Sequence, residues 1–377
     1  MDLNHIMEEI SSQIQDIYSR MEFTAGGVFL YLLAFLMLIL PLVIFGIESL
    51  MGKVAPPTTS STKIPKPPPT KVQEIRIYPI KSCRGFKVHN AKILKTGLDL
   101  DRNWMFAEAS TLKFLTIRQI SDMTLINTKI TDDDALEVSI STKPNIRFTI
   151  PAHPSEAWLA LNTELVKDCE IWGQKVDGYL YSTNLTAPFS EFFGKEVRLV
   201  YKGPTPRPLK GNADPQVLGR VESTKFADLM PVQVSNQKSI EELNYRLKSA
   251  GEPSISIERF RPNIVVEGDQ PWYEDVWKTV RIQPANRSAG MDEGGVTMDV
   301  AARCARCQVP NVDPDTAVKN KKQPWNKLME YRRVDEGITF KPCFGMLCVP
   351  RGEGEISVGD TFEITEVTGD HKYIPGM

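Results

Sequence analysis

Residues Ala25 to Ile47 form 23 consecutive positions without a charged side chain, bounded by Glu22 and Glu48. A run of that length makes about 35 Å of α-helix, enough for a hydrocarbon core of about 30 Å with some tilt. The expectation is a transmembrane helix over 25–47. A cleavable signal peptide has a shorter apolar region that follows basic residues, whereas this run follows Asp2, Glu8, Glu9, Asp16 and Glu22 against the single base Arg20. Lys53, Lys63, Lys66 and Lys71 lie after it, and that excess of bases assigns the C-terminal part to the cytosolic side. Leu3, Ile6, Met7, Ile10, Ile14, Ile17 and Met21 recur at helical spacing. Residues 1–24 are therefore expected as a short outer segment, an amphipathic helix on the membrane, and too acidic for a mitochondrial presequence. Residues 48–70, with six prolines between Gly52 and Thr70, read as an extended tether.

The rest of the chain is globular. With 377 residues, 41% hydrophobic and 24% charged, it can bury a sizeable core and divide into two domains. A formal net charge of -2 supplies no general basic field, which argues against nucleic acid as a partner. Six cysteines in so long a chain are too sparse for a disulfide scaffold and read as reduced thiols.

From Lys71 to about Lys202 the signals are mainly β. Val72 to Tyr78, Ala135 to Ile140 and Ile146 to Ile150 alternate, and Glu170 to Tyr181 reads as a strand pair turned at Lys175 to Gly178. Helices are expected near Ala187 to Gly194, over Ser239 to Ala250 and over Trp325 to Arg333. For the second, Ser239 with Glu242 forms a capping box and Gly251 closes the end. Asn263 to Val266, Thr279 to Gln283, Phe344 to Val349 and Glu355 to Thr365 read as strands of a closed, barrel-like sheet.

The chemistry concentrates in Arg303-Cys304-Ala305-Arg306-Cys307, which leads into Val312-Asp313-Pro314-Asp315-Thr316. Cys-x-x-Cys alone fits half a zinc site, a redox pair, or one metal-binding thiolate beside an inert neighbour. Lys81-Ser82-Cys83-Arg84-Gly85 follows the first strand as a cationic turn able to hold a phosphate, or as a solvated loop. Asp101-Arg102-Asn103-Trp104, Thr116-Ile117-Arg118 and Arg259 to Val266 place further bases at element ends. There is no Gly-x-Gly-x-x-Gly fingerprint, haem attachment motif or iron–sulfur spacing in the sequence.

Tyr78-Pro79-Ile80-Lys81-Ser82, Gly97-x-x-x-Asp101-Arg102-x-Trp104, Arg259 to Val266, Cys304-x-Arg306-Cys307 with its Val-Asp-Pro-Asp-Thr turn, and Ser357-Val358-Gly359-Asp360 occur in an order that resembles the MOSC-domain family, in particular its amidoxime-reducing branch. The resemblance covers about residues 71–367. It implies an N-terminal β-barrel-like domain over 71–202, a MOSC β-barrel domain over 203–377 with a few helices, and a molybdenum–molybdopterin cofactor between them. By position, Cys307 would be the catalytic thiolate ligand to molybdenum. Lys81, Ser82, Arg102, Arg261 and Asn263 would grip the pterin and its phosphate, with Arg306 lining the site and Asn236 and Ser239 at further cofactor contacts. The activity implied is reduction of small N-hydroxylated substrates, amidoximes and hydroxylamines, with electrons from a b-type cytochrome and an NADH-dependent flavoprotein reductase. The location implied is the mitochondrial outer membrane, with the endoplasmic reticulum as the alternative. The resemblance also brings the family's association with pyridoxal phosphate binding. Asn236-Gln237, Pro310-Asn311, Ala317 and an inserted loop over 284–295 depart from the family pattern. The competing readings are a cofactor-binding or delivery protein without turnover, and a structural zinc module using Cys304, Cys307, Cys343 and Cys348.

Overall fold

A computed structural model describes residues 8–9, 11–13, 15–16, 37, 64–285 and 295–376. The expected transmembrane run lies outside the described residues apart from Met37, as do most of the tether and of the 284–295 loop. Among the described residues no helix is long and apolar enough to cross a membrane. The described positions between 8 and 16 are helical and exposed. Residues 1–63 and 64–377 are separate compact units, and every described strand belongs to the second.

A closed seven-stranded barrel is the largest feature of that second unit. The order around the ring is Ile264–Val266, Val232–Asn236, Cys343–Pro350, Val296–Ala305, Trp277–Gln283, Thr361–Val367 and Thr70–Ile77, which pairs back to Ile264–Val266. Closure leaves no unpaired edge in the ring. Only Val232–Asn236 with Ile264–Val266 is parallel; the other ring pairs are antiparallel. Inward positions fill the interior: Ile75, Val234, Ile264, Val280, Met298, Met346 and Phe362 are buried in one apolar cluster. Each such side chain contributes about 1.5–3 kcal/mol on leaving water.

Four of these staves differ from the sequence reading. Val232–Asn236 was not expected as a strand. The expected Glu355 to Thr365 splits into Gly354–Ser357, which pairs outside the ring with Asn90–Leu94, and the stave Thr361–Val367. Val296–Ala305 carries a clear alternation of buried and half-buried positions, yet it was not expected as a strand because its last residues read as a ligand motif. Thr70–Ile77, assigned from sequence to the 71–202 domain, is a stave of the barrel otherwise built from residues 232–367. The reason is local: its run of buried Ile75, Arg76 and Ile77 suits a strand covered on both sides.

The intervening N-terminal half forms separate sheets instead of one hydrogen-bonded ring. Trp104–Glu108, Val197–Lys202, Gln174–Tyr181 and Thr163–Ile171 make a four-stranded antiparallel sheet, and Ile126–Ile130, Ala135–Ile140 and Lys143–Pro151 a three-stranded meander. Helix Thr183–Phe193, ended by Gly194 at φ 63°, packs Phe189 against Phe106 and Phe148 at ring distances of 5.7 and 5.1 Å. The hairpin expected to turn at Lys175 to Gly178 turns earlier. Ile171 pairs with Gln174, so Trp172 and Gly173, at φ 49° and 71°, form the two-residue turn that hairpin twist favours.

The helix expected over Ser239 to Ala250 runs Gln237–Ser249, and its cap is Asn236, whose side chain accepts from the Lys238 N–H at 2.9 Å. Ser239 lies inside the first turn and is spent elsewhere: its hydroxyl donates to the buried Glu274 carboxylate at 2.7 Å. The helix expected over Trp325 to Arg333 runs Trp325–Tyr331.

Candidate functional site

Strand Val296–Ala305 pairs with Cys343–Pro350, and its register slips twice, between Val300 and Ala302 and again between Arg303 and Ala305. Such irregularities re-aim side chains at the end of a ladder. They deliver Cys304, Arg306 and Cys307 to the wall of a pocket of about 160 Å³. Further segments meet there, among them the Lys81–Ser82 turn, the loop holding Arg102, Thr116 to Arg118, the run from Ala227 to Gln233, and Phe260 to Asn263 at the entry to a barrel strand. Lys81, Ser82, Arg102, Arg261, Asn263, Arg306 and Cys307, far apart in sequence, thus line one cavity. Asn236 and Ser239 do not line it. Asn236 donates to the Gln270 carbonyl at 2.8 Å and to Glu274 at 3.0 Å, so both residues organise the helix start and its buried acid.

The turns that present the bases use left-handed backbone at non-glycine residues: Ser82, Arg102 and Arg261 have φ of 68°, 51° and 57°. That conformation costs of order 1–3 kcal/mol at a non-glycine residue and persists where surroundings over-determine it. Here the surroundings are visible. The Arg102 and Arg261 guanidinium carbons lie 4.4 and 4.3 Å from the Tyr78 ring centre. Arg102 forks onto Asp101 at 2.7 and 2.6 Å and donates to the Arg261 carbonyl at 3.2 Å.

The bases are not equally free. The buried Lys81 ammonium donates to the Phe226 carbonyl at 2.9 Å and pairs with Asp228; burial pulls its pKa down to about 8 against the attraction of Asp228. Burial pushes the Asp228 carboxyl up, but Lys81 and Arg118 outweigh it and hold it well below the usual carboxylate range. Arg306 donates to Gln233 Oε1 at 3.1 Å, to the Phe260 carbonyl at 3.0 Å and to Cys304 Sγ at 3.0 Å. Asn263 spends its amide on the backbone, accepting from Gln233 N–H at 3.1 Å and donating to the Arg76 carbonyl at 3.3 Å. Among the described residues Arg261 Nη2 and Arg306 Nε are buried without partners. Unpaired buried donors are costly, and these two belong to residues that line the cavity, so an anionic group would satisfy them.

The two cysteines differ. Cys304 also lines the pocket and is half-buried, but its sulfur accepts from Arg306 at 3.0 Å, and burial raises its thiol pKa. Cys307 is half-buried at the pocket wall, with Arg118 Nε 3.4 Å from its sulfur. Among the described residues no three His, Cys, Asp or Glu side chains converge as metal ligands, and all six cysteines are free. The four-cysteine zinc module is thereby corrected. Cys343 and Cys348 are both buried within one barrel strand, and burial pushes the Cys343 thiol up to about 12. Sequence reasoning noted Arg118 without giving it a role, and missed Asp228, Gln233 and Trp172. Asp228 and Gln233 carry no local sequence signal, and at Trp172-Gly173 only the glycine signals a turn, since a tryptophan disfavours the left-handed backbone it adopts.

The comparisons with known proteins decide the family. The MOSC N-terminal beta barrel domain matches residues 69–196 and the MOSC domain matches residues 222–363. The chain belongs to the MOSC-domain family. Among MOSC relatives, mitochondrial amidoxime-reducing component 1 of Mus musculus is 29% identical over 77% of this chain and 80% of its own. Mitochondrial amidoxime reducing component 2 of Bos taurus is 29% identical over 77% and 81%. Molybdenum cofactor sulfurase of Arabidopsis thaliana is 29% identical over 71% of this chain but only 32% of its own length. This MOSC protein is thus related to proteins named for amidoxime reduction and to proteins named for sulfuration of the molybdenum cofactor, which points to molybdenum-cofactor involvement. The residues present fit such a group: a thiol for a thiophilic metal at Cys307, and unpaired guanidinium donors for an anionic pterin phosphate.

Proposed function

We propose that this chain is a molybdenum-cofactor-dependent reductase of small N-hydroxylated substrates, amidoximes and hydroxylamines. What supports the reading above all is that one cavity joins the Cys307 thiol to arginines with unpaired donors. Cys307 would hold the metal. Lys81, Ser82, Arg102 and Arg261 would hold the pterin and its phosphate, while Arg306, fixed by Gln233 and Phe260, keeps Cys304 out of competition. When bound, the molybdenum supplies a centre that exchanges two electrons and accepts oxygen. In the balance, two electrons and two protons convert N–OH to N–H and release water. The electrons come from outside the chain, from a b-type cytochrome fed by an NADH-dependent flavoprotein reductase. The apolar 25–47 run and the relatives named mitochondrial support a membrane-anchored protein with its catalytic part facing the cytosol, on the mitochondrial outer membrane.

The test is metal analysis of the purified protein together with benzamidoxime reduction in the presence of the cytochrome and reductase. About one molybdenum per chain with turnover is expected. Stoichiometric zinc, or neither metal, refutes the reading. Molybdenum without turnover would favour cofactor carriage instead, a reading to which the relatives named molybdenum cofactor sulfurase lend weight.

A further inference from the structure

The tip of the Thr163–Ile171 and Gln174–Tyr181 hairpin reaches Arg118 and Asp228 at the pocket. Trp172 adopts φ 49°, a conformation rare for a bulky side chain and stable only when contacts fix it. Three contacts do so. Its ring lies 4.8 Å from that of Phe114 and 4.6 Å from the Arg118 guanidinium carbon, and its indole N–H donates to Asp228 at 3.1 Å. Asp228 is itself paired with Lys81.

Arg118 is consequently held in one orientation with its donors unequally used. Nε points at Cys307 Sγ at 3.4 Å, and Nη2 is 3.7 Å from Asp228, beyond hydrogen-bond reach. Nη1 has no hydrogen-bond partner among the described residues, and the side chain is 36% exposed. Arg102, by contrast, is 13% exposed and forked onto Asp101. The deeper cations suit a buried cofactor phosphate, whereas Arg118 keeps Nη1 unbonded and Nη2 only ion-paired with Asp228, a half-exposed planar edge that leads away from Cys307 and can take a carboxylate through two parallel hydrogen bonds.

We propose that Arg118 is a specificity-determining residue that anchors the carboxylate of acidic N-hydroxylated substrates, and that Trp172 fixes the guanidinium edge in place. The inference rests on the reductase reading and deepens it.

The experiment uses the cofactor-loaded full chain, comparing benzamidoxime with 4-carboxybenzamidoxime in wild type, Arg118→Gln, Arg118→Lys and Trp172→Leu. Wild type is expected to favour the carboxylated substrate by about tenfold in kcat/KM, the scale of one charge-assisted contact. Arg118→Gln should erase that preference through KM, Arg118→Lys should keep part of it, and Trp172→Leu should lower it by about threefold. Benzoate binding, followed calorimetrically on the same proteins, should weaken about tenfold in Arg118→Gln. Molybdenum content is measured throughout. Equal losses on both substrates with unchanged benzoate affinity overturn the proposal, leaving Arg118 as a prop for Cys307. If wild type reduces neither compound, the reductase reading fails, and the benzoate arm alone decides for or against the anion site.

Discussion

Glu274 is fully buried, yet it carries a carboxyl group. Its two oxygens accept from Ser239 Oγ at 2.7 and 2.9 Å, and one also accepts from Asn236 Nδ2 at 3.0 Å. Burial raises its pKa, with Asp275 adding to the rise and Ser239 and Arg332 pulling it back; the result is about 7 against an ordinary 4.5. The folded protein therefore binds this proton more tightly than the unfolded chain. The stabilisation is fully present below about pH 4.5 and is lost as pH rises through about 7. The difference of 7 − 4.5, at about 1.4 kcal/mol per unit, bounds the effect at about 3 kcal/mol. Glu274→Gln keeps the shape and removes the titration. Urea unfolding between pH 5 and pH 8 should give near-equal stabilities at pH 5, within about 1 kcal/mol, and a variant up to about 3 kcal/mol more stable than wild type at pH 8. Taking the difference between the two proteins cancels other groups that titrate in this window, His153 and His371 among them. A difference that stays constant across the range would show that Glu274 is ionised throughout, and the reasoning would fail.

Cys307→Ser should abolish amidoxime reduction while leaving the fold intact. Cys304→Ser should retain substantial activity at a cost of about 1 kcal/mol, since a hydroxyl can still accept from Arg306. Comparable loss in both, with unfolding, would contradict the separate roles assigned to them. Tyr78→Phe removes a buried hydroxyl that has no partner among the described residues. It should leave stability unchanged or raise it by about 1 kcal/mol in urea unfolding of the cofactor-free protein, and a loss of more than about 1 kcal/mol would mean that the hydroxyl has a partner after all.

Strands were legible wherever burial alternates with period two, as in Ala135–Ile140 of the meander or much of Trp277–Gln283 of the barrel. They were illegible where a strand doubles as a motif. Val296–Ala305 reads as chemistry at its end, which masks its alternation. Seven of the nine residues proposed for the site do converge on one pocket, because bases at strand entrances are carried to barrel ends by the topology. Asn236 and Ser239 do not line that pocket and are engaged by the helix cap and by Glu274, 35 residues after Ser239, since a cap and a cofactor contact use the same side chains. The Trp172 turn was placed three residues late because Asp177-Gly178 carries the stronger turn signal, and a tryptophan in left-handed backbone contradicts local preference.

The ring's first stave, Thr70–Ile77, and its last, Thr361–Val367, meet through Thr70 with Phe362 and Lys71 with Thr361. Vectorial synthesis therefore leaves the cylinder open until almost the whole chain has left the ribosome, with the N-terminal sheets free to form first inside the waiting loop. A fragment starting at the MOSC match, residue 222, would lack the strand that seals Ile264–Val266 against Thr361–Val367, exposing two edges to pairing with other chains. The two matched segments thus make one cooperative folding unit, and a gene cut between them should yield two insoluble pieces that recover only when the first brings its opening strand to the second.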